Sequence, residues 1–182
     1  EALILDALRA APLSNALLVL VPRHPQRFAE VAALAESKGF TVGRRSAGLP
    51  AADTDIWLGD SMGEMVAYYT MADVAFIGGS LLPLGGQNLI EAAACGCPVL
   101  IGPHTFNFAE ATEQAITAGA AQRVADAPAL IAAIKPLLAS PPRRNNMAYA
   151  ATQFAAAHRG ATARTVALVR GFIGRCSGPA RR

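Results

Sequence analysis

Aromatic residues are scarce: seven Phe, three Tyr and one Trp make up 6% of the 182 residues. Single-stranded nucleic-acid binders interleave stacking platforms with their cations, so no nucleic-acid partner is expected. There are three cysteines, Cys95, Cys97 and Cys176. A "CGC" without a second pair builds neither a zinc framework nor a disulfide scaffold, which points to a reducing compartment. No apolar run approaches the roughly 20 residues of a membrane span. The opening "EALILDALRAAPLSN" lacks the basic region, long apolar stretch and cleavage site of a signal peptide and reads like the middle of a helix. Acidic residues stop at Asp126. Up to that point there are seven Lys/Arg against all thirteen Asp/Glu, and beyond it nine Lys/Arg and no acid. Such a basic block is either a solvated helical face or a surface for phosphates or anionic lipid.

What remains is an apolar, alanine-rich chain, 53% hydrophobic and 16% charged, long enough for one α/β unit to bury roughly 70% of its unfolded surface. Short β-rich runs alternate with longer helical patterns. Strands are expected at 16–21, 40–43, 55–58, 74–77, 99–101 and 122–124. In "PQRFAEVAALAESKG", Phe28, Val31, Leu34 and Ala35 share a helical face, and Gly39 is the stop signal. Helices are also expected near 64–72, 88–95 and 108–118. This alternation predicts an α/β fold, a doubly wound parallel six-stranded sheet with helices on both faces. Residues 1–126 form the lobe. Residues 127–182 form a basic helical C-terminal extension packed on it, broken at Pro141-Pro142.

In such sheets ligands bind outside the carboxyl ends of the strands, and the unusual residues all follow strands. "PRHP" (22–25) follows the first, "GDSMGEM" (59–65) the third, "GGSLLPLGGQNLIE" (78–91) the fourth and "GPHTFNF" (102–108) the fifth. Arg23, on a stiff loop beside Pro22 and Pro25, is either a surface arginine or a planar donor for phosphate or carboxylate. Glu64 is either a carboxylate satisfying the first amides of a helix, or part of a Met62-Gly63-Glu64 turn whose backbone approaches a flat ring. Asn88 and Glu91 fit an N-cap and its partner one turn in. The glycines before them, Gly78, Gly79, Gly85 and Gly86, go beyond what a cap requires and leave amides open to an anion, with Glu91 placed to accept ribose hydroxyls. His104 is a polar loop residue or a group facing a sugar. Phe106 and Phe108, Cys95 and Cys97, and Met62, Met65 and Met71 read as packing residues. No metal site is evident.

Taken together, "VPRHPQRF", "GDSMGEMVAYYTMADVAFIGGSL", "GGQNLIEAAACGCPVLIGPHTFNFAEA" and "AGAAQRV" resemble the C-terminal lobe of 3-deoxy-D-manno-octulosonic acid (Kdo) transferases. These are inverting glycosyltransferases of the two-lobed GT-B type with Rossmann-like lobes. The likeness spans roughly residues 18–124. It implies that Kdo passes from CMP-Kdo to a lipid A precursor at the cytoplasmic face of the bacterial inner membrane, in lipopolysaccharide biosynthesis, without a cofactor or a metal for the transfer itself. CMP contacts carried over by motif fall on Pro22 and Arg23, on Met62, Gly63 and Glu64, and on Asn88, Leu89, Ile90 and Glu91, with Gly85 and Gly86 beside the phosphate. The resemblance places the general base in an N-terminal acceptor lobe outside this sequence, so this chain is expected to bind donor without catalysing transfer. A UDP-sugar transferase or 2-epimerase lobe, or a non-catalytic nucleotide-binding module, are the alternative readings. The arginines at 143, 144, 159, 164, 170 and 175 are candidates for contact with a membrane surface.

Overall fold

A computed structural model of the chain describes residues 1–158, 165–166 and 169–170. The elements run α1 (Ala2–Ala10), β1 (Leu18–Leu20), α2 (Phe28–Ser37), β2 (Val42–Arg44), β3 (Ile56–Leu58), α3 (Met65–Met71) and β4 (Ala75–Ile77). They continue with α4 (Leu89–Ala94), β5 (Val99–Ile101), α5 (Ala109–Thr117), β6 (Ala121–Arg123), α6 (Ala127–Ala139) and α7 (Pro141–His158). All six expected strands form: β5 with the expected bounds, β6 one residue earlier, β2 shortened and shifted toward Arg44, and β1, β3 and β4 shortened; all pairings are parallel. The apolar triplets IWL and VLI are buried throughout, as strands covered on both faces must be.

The expected continuous six-stranded sheet is instead two three-stranded sheets, ordered β2-β3-β1 and β4-β5-β6. Among the described residues no ladder joins β1 to β4. Two residues after β1 stands Pro22, which has no N–H to extend a ladder, and all three residues of β1 are only half-buried, as at an edge. In the second sheet Ile77, Val99, Ile101 and Ala121 face Leu89, Ala92 and Ala93 of α4, Ala115 of α5 and Phe154 of α7. Leu100 faces Leu130 and Leu137 of α6 on the other side. In the first sheet Ile56 and Leu58 meet α1 and α2 through Leu5, Val31, Ala32 and Ala35. The intervening Trp57 turns to the other face, where its ring meets Tyr68 of α3 edge-on at 6.0 Å. The doubly wound arrangement therefore holds within each sheet.

Helix ends follow local sequence. At α4, Gly96 (φ +70°) donates to Ala93 O and Cys97 N to Ala92 O, the paired bonds of a glycine-terminated helix, and the ends of α2 and α5 repeat the pattern. The Pro141-Pro142 break is a helix start, since proline suits the first turn, where no amide donor is needed. Ser140 alone separates α6 from α7. Arg144 closes that junction, donating to Leu137 O and Leu138 O at 2.8 and 2.7 Å and pairing with Asp73 at 3.1 Å. Of the tail arginines, Arg159, Arg164 and Arg175 lie outside the described residues. Arg144 is a structural clasp. Met62 and Met71 are 66% and 52% exposed, which corrects their reading as packing residues; Met62 lies in the loop before α3 and Met71 is the helix's last residue. Among the described residues no helix is long and apolar enough to cross a membrane.

Candidate functional site

Within each sheet, parallel register places the carboxyl ends together, so the loops after β1 and β3 share one edge and those after β4 and β5 another. One side-chain hydrogen bond brings the two edges together. Arg23, exposed on the loop after β1, donates from Nη1 to Gln87 Oε1 at 2.7 Å. Gln87 immediately precedes Asn88, the N-cap of α4. Asn88 Oδ1 accepts from Ile90 N at 3.0 Å and its Nδ2 donates to Glu91 Oε1 at 3.1 Å. The expected cap therefore forms, with Glu91 held by the side-chain amide of Asn88. Arg23, Gln87, Asn88 and Glu91 thus make one polar run across the two edges.

The glycines do more specific work than leaving amides open. Gly86 N donates to Gly79 O at 3.0 Å, so that amide is spent on joining the two glycine pairs, and Ile90 N is spent on the cap. Among the described residues the amides of Gln87, Asn88 and Leu89 have no protein acceptor. Leu89's side chain is fully buried, which leaves only its backbone for a ligand. Gly85 (φ +89°) lies beneath the loop after β5. A Cβ there would come within 2.3 Å of Asn107 Nδ2 and 2.6 Å of Phe106 Cε2. Phe106 is 63% exposed, contrary to its expected packing role, because it lies over this glycine at the surface; Phe108 does pack on the core.

Ser80, Gly102 and Arg123 carry no individual signal in the sequence, yet they join these loops. Ser80 is fully buried; its Oγ donates to Ile77 O at 2.5 Å and accepts from Gly102 N at 2.8 Å. His104 is half-buried and donates its backbone N–H to Ser80 O at 3.0 Å. Arg123, at the end of β6, donates to Gly102 O at 3.0 Å and pairs with Glu113. A serine after a strand or an arginine ending one carries no sequence signal for such pairings, which depend on which strands become neighbours.

Pro22 is buried directly behind Arg23. Met62 and Gly63 are exposed, and nothing lies within 4 Å of where a Gly63 Cβ would stand. Glu64 does not satisfy the amides of α3: it is the N-cap residue but makes no side-chain cap bond. Its carboxylate instead accepts from the Ser61 hydroxyl, from Arg45 Nη2 at 3.0 Å and from the Tyr68 hydroxyl at 3.4 Å. The Ser61 bond first, then the Arg45 charge and bond, hold its pKa below the ordinary carboxylate value against the opposing effect of desolvation. This cluster makes no hydrogen bond to the Arg23–Glu91 run. Cys97 is buried as expected, Cys95 half-buried. Among the described residues no group of His, Cys, Asp and Glu could hold a metal ion.

A carboxyl-edge site on Rossmann-like parallel sheets defines a nucleotide-binding lobe class, and the family model for glycosyl transferases group 1 matches residues 43–154. The chain belongs to that family. Its likenesses within it are to 3-deoxy-D-manno-octulosonic acid transferases. That of Bordetella pertussis is 51% identical over 172 residues, 93% of this chain and 40% of the relative. That of Haemophilus influenzae is 40% identical over 179 residues, 96% of this chain and 42% of the relative. Among solved structures, the C-terminal CMP-Kdo binding domain of WaaA from Acinetobacter baumannii superposes with a TM-score of 0.79 at 33% identity, covering 84% of this chain and 81% of that one. The chain thus spans about two fifths of the length of these curated relatives and corresponds to the C-terminal GT-B lobe.

Proposed function

We propose that this chain is the donor-binding lobe of a Kdo transferase and that its ligand is CMP-Kdo. The observation that carries the reading is the likeness, over 81% of its length, to a domain described as CMP-Kdo binding. The run from Arg23 to Glu91 supports it with chemistry of the right kind: a guanidinium and unused amides before α4 for the phosphate, and a carboxylate oriented by Asn88 for the ribose hydroxyls. Pro22, Met62, Gly63 and Glu64 are assigned to the nucleotide's remaining contacts and His104 to the sugar. In the transfer, an acceptor hydroxyl loses its proton to a base and attacks the anomeric carbon while the bond to the CMP phosphate breaks, inverting that carbon. This lobe stabilises the charge gathering on the departing phosphate. The base and the lipid A precursor belong, on this proposal, to the part of the relatives this chain does not cover, and the chain alone releases no product.

The test is calorimetric titration of the chain with CMP and UMP. CMP is expected to bind and UMP to bind more weakly; preference for UMP sinks the reading in favour of a UDP-sugar enzyme. Glu91→Ala is expected to weaken CMP roughly tenfold or more, since hydrogen bonds to charged groups are worth about 1.5–3 kcal/mol. Asn88→Ser separates cap from ligand: serine caps as well as asparagine but loses the amide that aims Glu91. Unchanged stability with weakened CMP is the expected outcome. We further propose that the protein works at the cytoplasmic face of the inner membrane, with Arg143 and the arginines beyond Arg144 against anionic lipid. Binding to acidic liposomes that falls as salt rises is the check.

A further inference from the structure

Glu64 sits where a helix-capping carboxylate belongs and does not cap, so its geometry has another cause. It lies at the end of a tether that begins on the neighbouring strand, β2. The turn after β2, residues 45–47, is fastened to the loop after β3: Ser46 N donates to Asp60 Oδ1 at 2.8 Å and Ser46 Oγ to Asp60 Oδ2 at 2.6 Å. Arg44 adds its charge at 4.0 Å from the same carboxylate. From that fastened turn Arg45 reaches Glu64 Oε1, while Ser61 and Tyr68 take Oε2. Tyr68 is itself immobilised, 5% exposed and edge-on to Trp57, with Gly59 beneath it so closely that a Cβ would stand 3.0 Å from its hydroxyl. The chain between Ser61 and Glu64 is thereby held at both ends, with Gly63 (φ +82°) turned toward open space.

We infer that Arg45 is a positioning residue for nucleotide binding: acting through Glu64, it presets the Met62-Gly63 backbone that receives the ligand. This rests on the donor-site reading above. It differs from the expectation for an ordinary exposed ion pair, which contributes little to stability and nothing to binding. Removing Arg45 leaves Glu64 with its Ser61 and Tyr68 bonds but without the partner that fixes its other oxygen, and the 61–64 turn loses its preset shape before the ligand arrives.

The experiment is CMP titration of the intact chain beside Arg45→Met, Arg45→Lys, Glu64→Gln and the Arg45→Met/Glu64→Gln double variant, with thermal melting of each. Arg45→Met is expected to weaken CMP roughly fivefold to tenfold, the scale of one ordinary net hydrogen bond lost indirectly, with little change in melting. Arg45→Lys recovers part of the loss, because an ammonium can still reach one carboxylate oxygen. The double variant binds no more weakly than Glu64→Gln alone, as two residues acting through one contact require. Wild-type affinity in Arg45→Met overturns the positioning role while leaving the donor site standing. Additive losses in the double variant overturn it too, since Arg45 then acts independently of Glu64. A wild-type chain that binds no CMP overturns both readings.

Discussion

Arg23 and Gln87, 64 residues apart, meet at 2.7 Å across the seam between two sheets that share no ladder. The hydrogen bond brings a cation from the loop after β1 to the start of α4, where amides without acceptors are grouped. Because the pair is exposed, its own contribution to stability is small, and its consequence is where it holds the guanidinium.

Arg23→Ala is therefore expected to leave urea stability within about 0.5 kcal/mol of wild type and to weaken CMP roughly tenfold. Arg23→Lys recovers little, because the planar fork is lost. Gln87→Ala isolates the tether: a smaller loss of CMP affinity follows if Gln87 orients the arginine. Equal affinities across the series, measured by calorimetry, contradict this assignment.

Three glycines of the edge are ranked by what a methyl group would meet. At Gly102 a Cβ falls 2.3 Å from Ser80 O and 2.8 Å from Leu81 N; these are backbone atoms of the neighbouring loop, so Gly102→Ala is expected to cost about 3 kcal/mol, the upper range for overpacking. At Gly63 only the positive φ opposes alanine, a cost of about 1 kcal/mol. Gly85→Ala falls between, because Asn107 and Phe106 are exposed side chains that can move aside while the φ of +89° remains. Urea denaturation of the three variants gives the order.

Burial pushes the Cys97 thiol up to about 12, with the neighbouring Cys95 adding to the shift, from 9.0. Burial and then the Glu91 charge likewise push Tyr69 up to about 12 from 10.0. In both cases the unfolded chain releases its proton first. The stability these groups contribute is complete below about pH 9 and is lost as pH rises through 9.0 toward 12. Cys97→Ala is expected to flatten that alkaline decline, followed by urea denaturation between pH 7 and 10. At pH 8, iodoacetamide is expected to label Cys95 well before the 1%-exposed Cys97, as peptide mapping will register.

Much of this molecule is written locally. An apolar triplet bounded by turn residues is a buried strand, and Asn88 followed by Glu91 is a helix start, because backbone stereochemistry and capping act over a few residues. The strand-following loops were likewise legible as the place for a ligand, since parallel order puts them on one edge of each sheet. What local patterns do not encode is partnership between loops. Ser80 with Gly102, Arg123 with Gly102 and Glu113, and Arg45 with Glu64 each depend on which strands are neighbours. The exposure of Met62 and Phe106 is beyond local sequence for the same reason: hydrophobicity states a preference, and only the packed layers decide whether anything covers it.

The sequence by itself determined the alternation of strand and helix, the glycine stops, the Asn88 cap and the family whose motifs fill the carboxyl edge, since each is set by residues close together in the chain. Tertiary structure alone decided that the strands divide into two sheets, that Arg144 closes the α6–α7 junction, that Gly86 spends its amide on Gly79, and that Glu64 answers to Arg45 in place of its own helix. Those outcomes rest on hydrogen bonds and charges meeting across long sequence separations, and such meetings exist only once the chain has folded.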